Sequence, residues 1–438
     1  MSTSTSDSTS SSPSARSGTV RPLTARPKGA YVWMWLPDST EPIVAGRIGM
    51  THSGQYRFAY GDSYLARPEA ISLFAPELPL RRGWIDAPDG MDMAGCLWDA
   101  SPDSWGQRVI IARLTGLFGD TANDVQFDKL TFLLESGSNR IGALDFQASA
   151  TEYVPRLKQA ALDELHAAAD ALDSGELSPE LATALVDGTA VGGARPKVLV
   201  ADGETQYIAK LSMSTDTYSV VKAEAVAMEL ARRVGIDVPT TRLVRSLGRD
   251  VLLVERFDRA GGGRRRQLVS ALTMQGYGDF IGARYSSYVD MLEVLRARAL
   301  SGKGLARSVF ERVVFNVLTG NTDDHARNHT AFWDGKHLDL TPGYDLCPQP
   351  RTGREANQAM AISSADDRRS RLATCLDACA DYDLSRSEAR DIIDYQVTVI
   401  REQWSQAADL CELTATDRKF MFRRQILNDY AFEDYQTT

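Results

Sequence analysis

The chain of 438 residues lacks the features that define several large protein classes. It contains no run near the roughly 18 continuous apolar residues of a membrane-spanning helix, and its first residues lack the apolar stretch of a signal peptide. Its five cysteines are scattered, without a CxxC pair or a zinc-ligand spacing. These absences argue against a membrane protein, an exported disulfide scaffold and a structural zinc site. We therefore expect a cytoplasmic protein.

Acidic residues also outnumber basic ones. The chain has 49 Lys and Arg against 58 Asp and Glu, a net charge of -9, so it offers no overall basic surface to a nucleic-acid backbone. Direct nucleic-acid binding is therefore the less favoured expectation. With 43% hydrophobic and 24% charged residues, the composition is that of a globular protein. At about 150 residues per domain, the length predicts two or three lobes.

The pattern along the chain predicts four segments. Residues 1–29 are rich in Ser, Thr and Pro and cannot bury a core, which indicates a disordered tail. Residues 30–150 combine short runs of alternating apolar and polar residues with a helical stretch, which predicts an α+β lobe. Residues 151–260 predict a smaller lobe that begins with one helix over 157–186, and residues 261–438 predict a helical lobe. Helices are expected there at about 384–403 and 415–430.

The smaller lobe is predicted to begin its sheet after a glycine loop. Residues 191–197 read VGGARPK. Two apolar runs follow, joined by a turn at 202–203, and the second run ends at Lys210. Glycines in such a loop let the backbone approach phosphates closely. The candidate nucleotide-binding residues in this segment are Gly192, Gly193, Ala194, Arg195 and Lys197.

Two further features of this lobe fit nucleotide binding. Glu224 lies near the start of a helix predicted over 222–234, and its carboxylate could pair with Lys210 and aim the ammonium at phosphates. The apolar run at 251–254 predicts a buried strand that would lead into a hinge. There the backbone groups of Glu255 and Phe257 are candidates for pairing with adenine.

A polar loop after a long apolar helix carries the clearest chemical pattern. Asp323 precedes Asn328 by five positions, the spacing of a kinase catalytic loop. In such a loop the Asp accepts the proton of the attacking hydroxyl, while the Asn carbonyl oxygen binds magnesium. Arg327 is placed to neutralise charge on the transferred phosphate. A hairpin predicted over 330–340 then leads to Asp345, a second hard oxygen ligand for magnesium.

Each feature taken singly has an ordinary structural explanation. A DxxxxN spacing is common in polar loops, Lys210 could simply end a strand, and Glu224 could be a solvated helix residue. His325 is expected to support the loop through hydrogen bonds, beside the nucleotide, and the chain lacks the paired histidines of a zinc site. The order of the features along the chain favours an ATP- and magnesium-dependent phosphotransferase.

These residues resemble the HipA family of bacterial serine/threonine kinases, the toxin halves of toxin–antitoxin pairs. The resemblance implies an α+β, divergent protein-kinase-like fold with a family-specific N-terminal α/β lobe and an all-helical C-terminal lobe. It also implies ATP and magnesium as cofactors and protein substrates that include aminoacyl-tRNA synthetases. A HipB-like helix-turn-helix antitoxin would be the partner, and DNA would be reached only through it. The matching segments are 72–73, 78–83, 97–103, 142–144, 193–197, 208–211, 254–259, 322–328 and 340–345.

The chain departs from this family at three positions. The family usually has a glycine at position 324 and a lysine at position 327, where this chain has Asp324 and Arg327. Arg327 keeps the charge, whereas Asp324 is expected to perturb metal affinity. Such kinases also commonly carry a serine before the glycine loop, whose phosphorylation expels the loop. Here that register holds Ala190, with Thr189 beside it, so the resemblance implies that this off-switch is missing.

Two other functions stay open at this point. Kinase-like folds also phosphorylate small molecules such as antibiotics and sugars, and only a protein substrate would yield labelled phosphoprotein. A catalytically weak corepressor acting with a DNA-binding partner is the second alternative. The presence of Lys210, Asp323, Asn328 and Asp345 argues against it.

Overall fold

The computed structural model describes residues 27–157, 160–188, 195–351 and 353–437. Helices and strands are mixed throughout, which confirms the α+β class. The strands are β1 (Gly29–Met34), β2 (Ile43–Met50), β3 (Tyr56–Tyr60), β4 (Ile85–Asp86), β5 (Leu144–Gln147), β6 (Lys197–Asp202), β7 (Thr205–Leu211), β8 (Thr241–Ser246), β9 (Arg249–Glu255), β10 (Gln267–Ser270), β11 (Thr330–Trp333) and β12 (Leu338–Leu340).

The helices range from single turns to one of 25 residues. In order they are α1 (Asp62–Leu65), α2 (Gly95–Trp98), α3 (Ser104–Thr115), α4 (Gly119–Asn123), α5 (Lys129–Glu135), α6 (Leu162–Ser174), α7 (Pro179–Gly188), α8 (Val220–Arg233), α9 (Ala271–Met274), α10 (Asp279–Tyr285), α11 (Tyr288–Arg298), α12 (Leu305–Thr319), α13 (Leu372–Asp377), α14 (Arg386–Leu410) and α15 (Ala415–Met421). Short 3-10 turns lie at Ala326–Asn328, Cys379–Tyr382 and Asp429–Phe432.

The N-terminal lobe is built on a five-stranded sheet with the order β4-β3-β2-β1-β5. In β3 the alternate residues Tyr56, Phe58 and Tyr60 are buried, as the alternating pattern predicts. β2 contains two glycines, which weaken the pattern of a strand. At Gly46 a side chain would lie 2.2 Å from the Ala59 carbonyl oxygen of β3, so glycine lets the two strands approach.

A second sheet, with the order β6-β7-β9-β8, forms the centre of the smaller lobe. The predicted hairpin is confirmed, with Asp202 paired to Thr205 across a two-residue turn. The same register places Lys197 directly opposite Lys210. Helix α8 packs against this sheet and presents Glu224, a buried residue of its second turn.

The helical stretch between the first two sheets differs from the prediction. A single helix over 157–186 is wrong, because Gly175 adopts a left-handed φ of 78° and ends α6 before α7 begins. Helix α3, predicted in the N-terminal lobe, packs on α7. Side chains from both, such as Val109 and Leu185, share a core with the strands of the second sheet. Packing therefore crosses the boundary predicted at residue 150.

The C-terminal half contains a sheet of its own. β10, β11 and β12 form an antiparallel sheet, so the expectation of an all-helical lobe over residues 261–438 is wrong. The β11–β12 hairpin was expected, whereas β10 was not. β10 is a buried strand of four residues whose partner lies about 60 residues further along the chain.

The last helices also differ from their predicted bounds. α14 begins at a capping box of Ser385 and Glu388 and extends to Leu410, beyond the predicted end near residue 403. A helix over 415–430 is wrong, because α15 ends at Met421. The Phe422 ring stacks on Trp404 with ring centroids 5.1 Å apart, and the following segment turns back toward α12.

The described residues contain no helix that is long and apolar enough to cross a membrane. All five cysteines are free thiols, four of them buried.

One buried carboxylate joins the N-terminal lobe to the turn that follows β9. Asp258 accepts hydrogen bonds from Arg256 Nη2 at 2.7 Å, from Arg259 Nη1 at 2.8 Å and from the Gly142 amide at 2.8 Å. Arg256 in turn donates to the Arg140 carbonyl oxygen at 2.6 Å. Burial alone would raise the pKa of Asp258, but the two guanidinium groups outweigh it and hold the pKa well below its ordinary value.

Asp258→Ala should lower the free energy of unfolding by about 3–5 kcal/mol at pH 7, because it leaves two buried guanidinium groups without their counter-charge. Since the folded-state pKa is depressed, this stabilisation is present above the unfolded pKa of about 4 and is lost as pH falls. Urea denaturation at pH 7 and at about pH 2.5 measures both effects, because the loss begins only below the unfolded pKa. Asp339→Ala is the control, because that carboxylate is 76% exposed and 4.0 Å from Arg266. Similar losses in the two variants would contradict the role of Asp258.

Candidate active site

Three segments that are distant in sequence meet at one ammonium group. Lys210 of β7 donates to Glu224 Oε1 of α8 at 2.5 Å and also to Asp345 Oδ1, which follows the β11–β12 hairpin. The ion pair expected between Lys210 and Glu224 is therefore formed. Asp345 joins the same group, and the Lys210 side chain is only 17% exposed.

The charged groups at this junction shift one another's pKa values. Burial disfavours the Lys210 ammonium, but Asp345 and Glu224 outweigh that effect and raise the pKa of Lys210 above its ordinary value. For Asp345, burial is again outweighed, here by Lys210 and Lys197, and its pKa is lowered. Burial raises the pKa of Glu224, with Lys210 opposing the shift. At neutral pH the Lys210 ammonium and the Asp345 carboxylate are therefore both charged.

Lys197 adds a second cation beside Lys210. It is buried, and burial lowers its pKa, while the charge of Asp345 opposes that shift. The cross-strand register of β6 and β7 fixes the two lysines side by side. Two adjacent cations on a sheet facing a carboxylate form a site suited to polyphosphate and a metal ion.

Asp345 has an unusual backbone conformation. Its φ of 58° lies in the left-handed region, which costs a non-glycine residue about 1–3 kcal/mol. The preceding residue holds this turn in place, because the Tyr344 hydroxyl donates to the Arg327 carbonyl oxygen at 2.7 Å. That bond joins the segment containing Asp345 to the loop containing Asp323 and Asn328. The three predicted residues are therefore brought to one region.

The loop itself begins where α12 ends at Gly320, whose φ is 66°. Asp323 is exposed. Partial burial raises the pKa of Asp323, opposed by His325 and reinforced by the charges of Asp345 and Asp324. Asn328 Nδ2 donates to the Asp323 carbonyl oxygen at 3.3 Å. The side-chain amide nitrogen therefore faces the loop backbone, and the amide oxygen takes no part in this bond.

Asp324 is directed into the core instead of the site. Its carboxylate is fully buried and accepts hydrogen bonds from Tyr288 Oη at 2.6 Å, Asn316 Nδ2 at 2.6 Å and His329 Nε2 at 2.7 Å. These contacts direct the Asp324 carboxylate away from the site. They give no support to the expectation that Asp324 perturbs metal affinity by acting as a ligand. It fixes the loop to α11 and α12 and acts on Asp323 only through its charge.

The candidate phosphate-binding segment is described only in part. Gly192, Gly193 and Ala194 lie outside the described residues, as do Thr189 and Ala190 of the expected off-switch. Arg195 is exposed and forms an ion pair with Asp216. Its side chain is thus held at the edge of the second sheet.

The predicted hinge is placed at the end of β9. The Glu255 amide already donates to the Thr240 carbonyl oxygen at 2.9 Å, so that N–H is not available to adenine. The Phe257 ring lies 5.9 Å from Phe332 and 5.7 Å from Tyr344, measured between ring centroids. Phe257 therefore packs between the hinge and the segment before Asp345.

His325 and Arg327 occupy the same loop. His325 is half-buried, and its Nδ1 has no hydrogen-bond partner among the described residues. The imidazole lies close enough to lower the pKa of Asp345, after the larger effects of Lys210 and Lys197. Arg327 is half-buried, and its charge lowers the pKa of Asp99 against the larger effect of burial.

Two acids of the N-terminal lobe were missed as site residues. Asp99 accepts hydrogen bonds from the Ser270 amide at 2.8 Å and from its hydroxyl at 2.6 Å. Asp103 caps α3 through the Gly106 amide at 2.8 Å. Burial raises the pKa of Asp103 to about 6, with Lys197 opposing. Both lie in segment 97–103, where two acids directly before a helix could have marked them as candidates. Their approach to the site, however, depends on the tertiary fold.

The oxygen donors present fit magnesium. The described residues contain no cluster of three or more His, Cys, Asp or Glu that could hold a metal. Asn328 and Asp345 offer an amide oxygen and a carboxylate, the hard ligands that magnesium takes in small numbers alongside phosphates and water. This donor set suits a metal that arrives with a nucleotide.

Two family models together match most of the chain. Residues 36–147 match the HipA N-terminal domain and residues 189–404 the HipA-like C-terminal domain. A putative kinase, Y4mE, of Sinorhizobium fredii is 26% identical over 331 residues, which is 69% of this chain and 74% of that protein. The serine/threonine-protein kinase toxin HipA of Shewanella oneidensis is 27% identical over 182 residues, 36% of this chain and 42% of that protein.

A solved structure shows the same fold. HipA of Shewanella oneidensis, determined in a complex with HipB and operator DNA, superimposes with a TM-score of 0.66 at 18% identity. The superposition covers 93% of this chain and 97% of that chain. The N-terminal lobe and the C-terminal lobe therefore belong to one shared architecture.

Asp324→Ala should lower the free energy of unfolding by about 3 kcal/mol or more, because three buried donors lose their acceptor. The neighbouring Asp323→Ala is a matched control, since that side chain is exposed and its loss should cost less than about 0.5 kcal/mol. Urea denaturation of both variants checks this. Equal stability of the two variants would show that Asp324 is not part of the structural core.

Proposed function

Because this chain belongs to the HipA family of kinases, we propose that it is an ATP- and magnesium-dependent serine/threonine protein kinase. The observation that carries the proposal is the position of Lys210 between Glu224 and Asp345. A kinase needs such a lysine to hold nucleotide phosphates and such an aspartate to hold the metal. The arrangement argues against a corepressor without catalytic function.

Each residue of the site has a defined task in this proposal. Glu224 orients Lys210 so that its ammonium reaches the phosphates, and Lys197 adds positive charge beside it. Asn328 and Asp345 are the proposed ligands of magnesium, which when bound would neutralise phosphate charge. Arg327 would stabilise charge on the transferred group. The glycine loop at 192–194 would cover the phosphates.

Asp323 is the proposed general base. As the oxygen of the acceptor hydroxyl forms its bond to the γ-phosphorus, the bond to the ADP oxygen breaks and the hydroxyl proton passes to the Asp323 carboxylate. Its exposure leaves it open to a protein substrate. Its raised pKa makes the carboxylate a better proton acceptor than an ordinary aspartate.

The substrate and the partner are proposed from the family. A relative is named as a serine/threonine-protein kinase toxin, and a structural neighbour was solved with HipB and operator DNA. By analogy we propose a protein substrate, with aminoacyl-tRNA synthetases as candidates, and a small helix-turn-helix antitoxin. The net charge of -9 supports a division of labour in which the partner contacts DNA. With Ala190 in the register of the regulatory serine, we propose that the partner controls activity.

Asp323→Ala should reduce phosphoryl transfer by about a hundredfold to ten-thousandfold while the fold stays intact, because a positioned base is lost. Transfer from γ-labelled ATP to total protein of a bacterial extract, followed on a gel, measures this. Asp339→Ala is the control, as it removes an exposed acid of β12 outside the site. Near wild-type transfer by Asp323→Ala would rule out its role as the base.

Asp345→Asn should weaken ATP binding about tenfold or more in magnesium, because a metal ligand loses its charge. In EDTA the affinities of the variant and the wild type should be similar, since the metal is absent from both. Isothermal titration calorimetry under the two conditions separates these effects. If the variant matches the wild type in magnesium, Asp345 is not a metal ligand.

A further inference from the structure

A separate cavity lies between the segment that follows Asp345 and the C-terminal segment of the chain. It measures about 260 Å³ and is lined by Arg351, Gly353, Phe420, Arg424 and Gln425. None of the residues assigned to the candidate active site lines it. Among the described lining residues two are arginines and none is acidic, so the cavity is positively charged.

Two residues that line this cavity carry buried polar atoms without partners. Gln425 is only 1% exposed, yet neither its Nε2 nor its Oε1 has a hydrogen-bond partner among the described residues. The same holds for Nη1 of Arg351, which is also buried. Buried polar groups in native proteins are almost always paired, and leaving one unpaired costs about 1–3 kcal/mol. Two such side chains on one cavity indicate a polar ligand.

The donors and acceptors define the chemistry of that ligand. The guanidinium groups of Arg351 and Arg424 and the Gln425 amide nitrogen are donors, which suits an oxyanion with several oxygens. Arg351 Nη2 already donates to the Arg354 carbonyl oxygen, so Nη1 is the nitrogen left for a ligand. The Gln425 amide oxygen needs a donor, which a protonated phosphate oxygen or a peptide N–H supplies. Phe420 adds an apolar wall, with the Arg424 guanidinium 5.7 Å from its ring centroid. A phosphate group satisfies these demands better than a carboxylate, which has no donor at neutral pH.

We propose that this cavity is a phosphate-binding site distinct from the candidate nucleotide site. The phosphate comes either from inorganic phosphate or from a phosphorylated side chain, since both present the same group. The proposal rests on the cavity and its unpaired donors, and it does not depend on the chain being a kinase.

The walls of the cavity touch the start of the catalytic loop. The Gln425 carbonyl oxygen lies so close to Gly320 that a side chain there would come within 2.7 Å of it. The Gln349 amide donates to the Gly320 carbonyl oxygen at 3.0 Å, and the Leu427 amide donates to the Leu318 carbonyl oxygen at 2.7 Å. A phosphate bound by Arg351 and Arg424 would therefore fasten two segments that both contact the residue where the loop begins.

Isothermal titration calorimetry of the full chain tests the proposal with three probes: inorganic phosphate, a phosphoserine peptide and the same peptide without phosphate. Arg351→Gln and Arg424→Gln should each weaken phosphate binding about tenfold, because each removes a charged hydrogen bond. Arg423→Gln is the matched control, since this neighbouring arginine is exposed and does not line the cavity. Lys210→Met, which changes only the candidate active site, should leave phosphate binding unchanged.

The outcomes are distinguishable. Tighter binding of the phosphopeptide than of phosphate, with none of the plain peptide, would identify a phosphorylated side chain as the source, and equal binding would identify free phosphate. The proposal is overturned if the wild type shows no saturable phosphate binding, if Arg423→Gln weakens it as much as Arg424→Gln, or if only Lys210→Met abolishes it. Should Arg351→Gln not fold, the exposed Arg424 still provides the test.

Discussion

The ammonium of Lys210 is the point on which the rest of the site depends. It pairs with Glu224, 14 residues away in sequence, and with Asp345, 135 residues away, so strand β7, helix α8 and the segment after the β11–β12 hairpin must all meet there. Without the ammonium, the buried Glu224 carboxyl and the half-buried Asp345 carboxylate would lose their shared counter-charge. Lys197 lies beside Lys210 in the register of the hairpin, so a second basic side chain adjoins the cluster.

The N-terminal lobe contributes side chains that contact the segments around this site. Asp258 fastens it to the turn that follows β9, through buried bonds with Arg256 and the Gly142 amide. Asp99 accepts from Ser270 at the end of β10, and Asp103 caps α3 close enough to Lys197 of the second sheet for that charge to lower its pKa.

Sequence reasoning succeeded where the signal is local and failed where it is tertiary. The hairpin of β6 and β7 and the long helix before the polar loop are read from neighbouring residues, and each is present in the fold. Strand β10 was missed because four buried residues carry no period, and its partner β11 lies far along the chain. The burial of Asp324 and the approach of Asp99 to the site likewise depend on contacts that no local pattern records.

Equilibrium binding of ATP with magnesium to the wild type and to Lys210→Met tests the central claim most directly. Replacing the ammonium by an uncharged chain of similar length removes the phosphate contact and leaves Glu224 and Asp345 without their shared cation. We predict that the wild type binds the nucleotide and that the variant, still folded, binds it at least about tenfold more weakly. Equal affinity of the two proteins, or no nucleotide binding by the wild type, would contradict it.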